Sequence, residues 1–180
     1  LFSVYGSRIS NKIRNHHMEN NGLSRYEKIP LYMSWCNELV TKKNIQSNCN
    51  KFSSLVKKSV VESPWVPGFL EIVKKKNNRH KHVLVTATPK DEVEEILKKL
   101  EIRHFFHNVY GSPVPKKEAI SKELNKLSIS PENAIMIGDS NNDYEAAKEN
   151  NVMFFLRCTD YNKDLQQLCK GNTFKDFINE

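Results

Sequence analysis

The sequence predicts an α/β protein in which a doubly wound parallel sheet lies between helical layers and carries a small all-helical module. Over residues 65–180, short apolar runs alternate with stretches of helical periodicity, a pattern typical of repeated β-α units and a parallel sheet. Residues 1–64 show helical patterns only. A chain of 180 residues with 38% hydrophobic content can bury a core for such a fold.

The helical module is predicted from its capping and spacing signals. Ser24 opens a segment of capping-box form, in which a hydroxyl residue precedes a glutamate by three positions. Apolar spacing predicts helices over residues 24–40 and 52–62. Pro64 and Pro67 then break the pattern. We therefore predict two domains, a helical domain at 1–64 and an α/β core at 65–180.

The α/β core is predicted element by element. Four apolar runs predict strands, at residues 82–86, 108–110, 134–137 and 152–156. Helical spacing predicts helices at residues 115–127 and 141–150, and one more directly after the first strand. Thr88 is the expected N-cap of that helix, with Pro89 in its first turn.

Charge and cysteine content narrow the function classes. The net charge is +7, but the lysines are spread over polar helix faces without interleaved aromatic residues, so no nucleic-acid partner is expected. The four cysteines follow no zinc or disulfide spacing, which indicates a cytoplasmic protein. No apolar run is long enough to span a membrane. The oligomeric state is not predicted.

Polar residues follow three of the predicted strands. Thr86 ends the first strand, Lys116 follows the second, and Asp139 and Asp143 follow the third. Because the carboxyl ends of parallel strands meet at one edge of the sheet, these side chains should converge there. A hydroxyl, an ammonium and carboxylates that hold Mg²⁺ are the groups that phosphoryl transfer requires. Each residue also has a structural interpretation, such as strand end, solvated lysine or helix-capping acid.

These residues make the chain resemble the haloacid dehalogenase superfamily, a large group of mostly Mg²⁺-dependent phosphatases with a Rossmann-like core. The family's second motif is a strand that ends in Ser or Thr, matched at Thr86. Its third motif is a basic residue, matched by Lys116 or its neighbour Lys117. Its fourth motif, G-D-x-x-x-D, is matched at residues 138–143. The segment HHMENNGLSRYEK resembles the small helical cap of this family.

The resemblance implies a phosphatase mechanism for a small phosphorylated substrate. An aspartate would attack the phosphate, while Thr86 binds a phosphoryl oxygen and Lys116 neutralises charge. Asp139 and Asp143 would hold Mg²⁺, with Asp143 as a ligand or a support. The candidate substrate-binding residues are Arg25 and Thr88; the alternative interpretations are a surface arginine and a helix cap.

One family motif has no counterpart in this sequence. The D-x-D-x-T/V strand, which supplies the nucleophile and the general acid and base, is absent. In the family fold this strand lies in the middle of the sheet, so its neighbours should lose hydrogen-bond partners. The first residue is Leu1 and the first methionine is Met18, so we expect a truncated chain that is inactive by itself.

Three other functions stay open. The first is a non-catalytic protein that binds Mg²⁺ and phosphate, and the second is a phosphosugar mutase on the same fold. The third, carbon-halogen hydrolysis, is disfavoured because dehalogenases of this family do not need the Mg²⁺ that the acidic pair suggests.

The paired histidines are not predicted to bind metal, because no partner ligands lie near them in sequence. His104 and His107 are interpreted as surface and packing residues. His16 and His17 are interpreted as part of a polar helix face.

Overall fold

The computed structural model describes residues 1–20, 22–75 and 80–178. Its helices are α1 (Gly6–Glu19), α2 (Arg25–Trp35), α3 (Lys42–Val61), α4 (Phe69–Lys74), α5 (Lys90–Lys99), α6 (Lys116–Leu127), α7 (Asn141–Glu149) and α8 (Lys163–Leu168). Its strands are β1 (Val83–Pro89), β2 (Asn108–Ser112), β3 (Ile135–Gly138), β4 (Met153–Arg157) and β5 (Thr173–Phe174). All strand pairs are parallel, which confirms the α/β fold class.

The N-terminal part is helical, as predicted, but its helix bounds differ. Ser24 forms the predicted capping box at the start of α2. That helix ends at Trp35 and not at residue 40, because Asn37 adopts a left-handed conformation and the Glu38 amide donates to the Met33 carbonyl at 2.9 Å. This pairing is a Schellman end. Residues 39 and 40 therefore lie outside the helix and are exposed.

The second predicted helix of this part is longer than its apolar pattern. Helix α3 starts at Lys42, well before residue 52, because the Thr41 hydroxyl accepts a hydrogen bond from the Asn44 amide at 3.2 Å. A polar N-cap can begin a helix whose first turns bury little apolar surface. Short helices α4 and α8, helix α1 and strand β5 had no individual prediction.

Thr88 is not a helix cap, contrary to the prediction. It lies within β1, and α5 begins at Lys90 with Pro89 at its N-cap position. A residue that precedes proline is sterically pushed towards extended conformations, so the chain stays extended through Thr88. The helix that follows the strand is confirmed, with its start one residue later, at Lys90.

The parallel strands form two separate sheets. One sheet has the order β1-β2 and the other β3-β4-β5. Among the described residues, β1 and β3 thus each pair with a single strand. Strand β3 also exposes Ile135 (62%) and Ile137 (43%), and the adjacent Met153 of β4 is 54% exposed. Apolar strand residues of a parallel sheet are normally covered on both faces.

The hydrophobic core follows the same division. One cluster lies around α6, α7 and β4, and a second lies between α5 and β2. A third cluster lies entirely within the N-terminal helices, around Ile13, Ile29 and Met33. Helix α3 packs on α5 and so joins the N-terminal helices to the α/β part. The domain boundary between residues 64 and 65 stays a prediction. None of the described helices is both long and apolar enough to cross a membrane.

Candidate active site

The loop between β3 and α7 is held together by Asp143. Its Oδ2 accepts hydrogen bonds from the Ser140 hydroxyl at 2.6 Å and from the backbone amides of Ser140 and Asp139 at 3.2 and 3.3 Å. Ser140 is the N-cap of α7, and the two residues form a capping box. Gly138 is required here, because a Cβ at this position would overlap Asp143, 2.7 Å from Oδ2.

Lys116 meets this loop from the first turn of α6. Its Nζ donates to Asp143 Oδ1 at 2.5 Å, and both side chains are at least 90% buried. The neighbouring Lys117 is exposed and pairs with Glu149 at 3.2 Å on the surface. Of the two candidate lysines, the structure therefore brings only Lys116 to the acidic loop.

Thr86 lies in the same neighbourhood. A cavity of about 450 Å³ is lined by Thr86, Ser112, Lys116 and Asn142, among others. The Thr86 hydroxyl accepts from the Thr88 amide at 3.2 Å and lies 3.3 Å from the Thr88 hydroxyl, which fixes its position at the end of β1. The structure thus brings together a hydroxyl from β1, an ammonium from α6 and the acidic loop after β3.

The loop that precedes α2 forms one wall of this cavity. The Asn142 side chain donates to the Gly22 carbonyl at 2.7 Å, and the Ser24 hydroxyl lies 2.7 Å from the Ser112 hydroxyl in a buried contact. The N-terminal helices are therefore hydrogen-bonded to the edge of the sheet at the candidate site.

Asp139 is the more accessible carboxylate of the pair. The residue is exposed, yet neighbouring protein atoms displace part of the water around its carboxylate and raise its pKa. The negative charge of Asp143 raises the pKa further, whereas the charge of Lys116 lowers it. The oxygens of Asp143 are already engaged by Lys116, Ser140 and two amides. Asp139 is therefore the better candidate ligand for a hard cation, and the geometry favours a supporting role for Asp143.

The donor chemistry suits Mg²⁺, although the described residues supply few ligands. Mg²⁺ prefers oxygen ligands and usually retains several waters beside one or two carboxylates and a substrate phosphate. No group of three or more His, Cys, Asp or Glu side chains within residues 1–20, 22–75 and 80–178 could hold a metal ion. Asp139 fits one position of such a shell, and further ligands would have to come from elsewhere.

Comparison with known proteins identifies the family to which this sequence belongs. A family model described as haloacid dehalogenase-like hydrolase matches residues 7–156. The chain belongs to this family. The sequence of this haloacid dehalogenase-like chain resembles the family's second, third and fourth motifs at Thr86, Lys116 and the Asp139–Asp143 loop. The structure brings these three places together.

Two curated proteins with phosphatase names are similar in sequence to part of this chain. The chain is 37% identical over 102 residues to a Thermotoga maritima protein named phosphorylated carbohydrates phosphatase, which covers 54% of this chain and 44% of that protein. It is also 36% identical over 84 residues to a Vibrio cholerae protein named phosphoglycolate phosphatase. That match covers 44% of this chain and 37% of the Vibrio protein. The matches thus span less than half the length of both curated relatives.

A solved structure supports the fold of this haloacid dehalogenase-like chain. A Haemophilus somnus protein described as a predicted phosphoglycolate phosphatase superposes with a TM-score of 0.72 at 17% identity. The superposition covers 98% of this chain and 87% of that one. At this level of identity the likeness shows the fold alone.

Arg25 is buried and not a surface arginine. Its side chain is 8% exposed and forms a two-pronged salt bridge with Glu92, at 2.8 Å for each nitrogen-oxygen pair. The same guanidinium donates to the Ser53 hydroxyl and lies over the Phe52 ring, 4.8 Å from its centroid. Because these partners belong to α5 and α3, Arg25 ties the N-terminal helices to the core; its contact with a substrate stays a prediction.

Lys28 lines a second cavity and had no prediction from the sequence. Its side chain is 5% exposed, next to Tyr32 and His17, in a cavity of about 480 Å³ between α1, α2 and α3. The sequence held one signal for it. Lys28 lies at helical spacing from the apolar residues Tyr32 and Trp35, so it shares their buried face.

The histidines lie in different surroundings. His16 and His17 are not on a polar helix face, because both are half-buried against α2 and α3; His16 Nδ1 lies 3.1 Å from the Tyr32 hydroxyl. Burial lowers the pKa of His17, and the charge of Lys28 lowers it further. His104 is exposed beside the Phe105 ring, and His107 is exposed near Glu123 at 3.8 Å.

Proposed function

We propose that this haloacid dehalogenase-like protein is a Mg²⁺-dependent phosphohydrolase that acts on a small phosphorylated metabolite. The observation that carries the proposal is the buried Lys116–Asp143 pair at 2.5 Å beside the cavity that contains Thr86. A buried cation, a hydroxyl and a free carboxylate at one sheet edge suit a phosphoryl group. The phosphatase names of the two curated relatives support the same substrate class.

Each residue has a distinct task in this proposal. Thr86 donates a hydrogen bond to a phosphoryl oxygen, and Lys116 stabilises the negative charge that develops during transfer. Asp139 ligates the metal ion, which supplies further charge stabilisation when bound. Asp143 holds Lys116 and the loop amides in place and so acts as a positioning residue.

The attacking carboxylate is proposed to lie on a further strand between β1 and β3. Two observations support this: the described residues form two sheets, each with an unpaired edge strand, and Ile135 and Ile137 of β3 are exposed. An inserted strand would give both edges hydrogen-bond partners, and its side chains would flank these isoleucines on the same face of the sheet. Its carboxylate would attack phosphorus as the bond to the leaving oxygen breaks, and water would then release phosphate from the acyl phosphate. Residues 1–180 contain no D-x-D sequence, so this chain should not turn over substrate by itself.

We also propose that the protein is located in the cytoplasm. All four cysteines are free in the described part of the chain, which is what a reducing cytoplasm maintains.

The test compares this chain with a longer form extended upstream through an apolar strand that bears D-x-D. Hydrolysis of an aryl phosphate should require the longer form and Mg²⁺. It should fall at least about 100-fold in Lys116→Met, while the matched variant Lys117→Met, altered at the exposed neighbour, keeps its activity. Equal losses in the two lysine variants, or an upstream sequence without a carboxylate on a strand, would contradict the proposal.

A further inference from the structure

The second cavity adjoins the candidate active site. It lies between α1, α2 and α3, and its volume is about 480 Å³. Leu23 and Ala87 line both this cavity and the one that contains Thr86 and Lys116. A molecule whose phosphate lies beside Thr86 could therefore extend past Ala87 into the space between the N-terminal helices.

The cavity has a cationic lining. Arg14, Arg25 and Lys28 contribute to it, beside the imidazole of His17 and apolar residues of α1 and α3. Arg25 is neutralised by its salt bridge with Glu92. Arg14 is exposed to solvent. Lys28 is therefore the buried positive charge of this cavity whose compensation has to be explained.

Lys28 carries an ammonium that no carboxylate of the described residues pairs with. Its Nζ donates to the Asn20 backbone carbonyl at 3.1 Å, and the part of the chain that the structure describes offers it no salt bridge. An ammonium has three donors, so two N–H groups are available. The nearby Glu27 uses its carboxylate to accept from the Ser24 amide. A buried charge without a partner is costly, and such a cost is normally offset by a bound ion or a function.

We propose that Lys28 binds a second acidic group on the leaving-group side of the substrate, either a carboxylate or a second phosphate. This inference rests on the proposed function, because it assigns the substrate's own phosphate to Thr86 and Lys116. The substrate class is then a phosphate monoester with a second anionic end. The apolar walls of the cavity, among them Ile13 and Val56, would contact the carbon skeleton between the two ends.

Burial is consistent with such a role. It lowers the pKa of Lys28 from 10.5 to about 8, with the charge of Arg25 as a smaller cause and Glu27 acting in the opposite direction. The side chain thus stays mainly protonated at neutral pH. An incoming anion would supply a charge partner that the described residues do not provide.

Binding measurements on the chain as given test this inference without turnover. In the presence of Mg²⁺, calorimetry compares glycerol 3-phosphate with 3-phosphoglycerate and propane-1,3-diyl bisphosphate, which add a carboxylate or a second phosphate. The wild type should bind at least one of the doubly acidic ligands about tenfold more tightly than glycerol 3-phosphate. The ligand that gains identifies the acidic group.

Three variants decide between the outcomes. Lys28→Met should reduce that gain to less than about twofold, whereas Lys51→Met, at an exposed lysine of α3, should keep it. An unchanged gain in Lys28→Met overturns the inference alone, provided that Lys116→Met weakens all three ligands. Binding that ignores Lys116, or no binding of any ligand by the longer form whose attacking aspartate is replaced by asparagine, overturns the proposed function and this inference with it.

Discussion

Replacing Lys28 with methionine should stabilise the unliganded protein. Methionine has a similar length and fits the apolar surroundings of Tyr32 and Ile29, both of which are buried. The substitution removes a buried charge that has one hydrogen-bond partner and no salt bridge among the described residues. A residue retained for binding is expected to cost stability when its ligand is absent.

The size of the effect follows from the pKa of Lys28. Its fall from 10.5 to about 8 on folding corresponds to a penalty of about 3 kcal/mol for the charged form. The lost hydrogen bond to the Asn20 carbonyl costs about 1 kcal/mol. The net gain should be about 2 kcal/mol at pH 7, which raises Tm by about 4–8 °C for a chain of this size.

The pH dependence has a defined sign. The pKa of Lys28 is lower in the folded protein than in the unfolded chain, so the penalty is fully present below pH 8. It disappears as the pH rises from about 8 towards 10.5, because the folded protein releases its proton first. The stability gain of Lys28→Met should therefore be largest at pH 7 and smaller at pH 9.5.

Urea unfolding measures the free energy of unfolding at these two pH values. It compares the wild type with Lys28→Met and with the control Lys51→Met. The control alters an exposed lysine and should change the free energy of unfolding by less than about 0.5 kcal/mol. A loss of stability in Lys28→Met at pH 7, or a gain that does not shrink at higher pH, would refute the assignment of Lys28 as an uncompensated buried charge.

Three further predictions concern the core contacts and the active site. Arg25→Ala should lower the free energy of unfolding by about 3–5 kcal/mol, because it leaves a carboxylate buried alone, whereas Lys57→Ala, at a more exposed pair, should cost less than about 1 kcal/mol; similar losses in thermal unfolding would contradict this. Gly138→Ala should lower the free energy of unfolding by about 1–3 kcal/mol, because the new methyl group overlaps Asp143. A urea midpoint equal to that of the wild type would contradict this, because the loop would then have accommodated the methyl group without cost. The chain as given should hydrolyse an aryl phosphate no faster than its Asp139→Ala variant, and measurable turnover above that control would disprove its inactivity.

The secondary structure of the α/β part was largely predictable because its signals are local. The apolar run before Gly138 and the alternation of strands and helices depend on neighbouring residues only, and both are confirmed. Errors arose where a local signal was outweighed by another. At Thr88, the steric restriction before Pro89 outweighed its preference as a helix cap. At Asn37, a left-handed residue ended α2 within an apolar pattern.

The sequence by itself determined the family, the order of strands and helices, and the residue types at the ends of β1 and β3, because motif spacing and periodicity are properties of the chain. The tertiary structure brought Lys116, and not Lys117, to the acidic loop, gave Arg25 its partner Glu92, and left Lys28 buried without a salt bridge among the described residues. These outcomes depend on groups that lie tens of residues apart in sequence. Burial and charge compensation are properties of the packed molecule, so no local pattern could assign them.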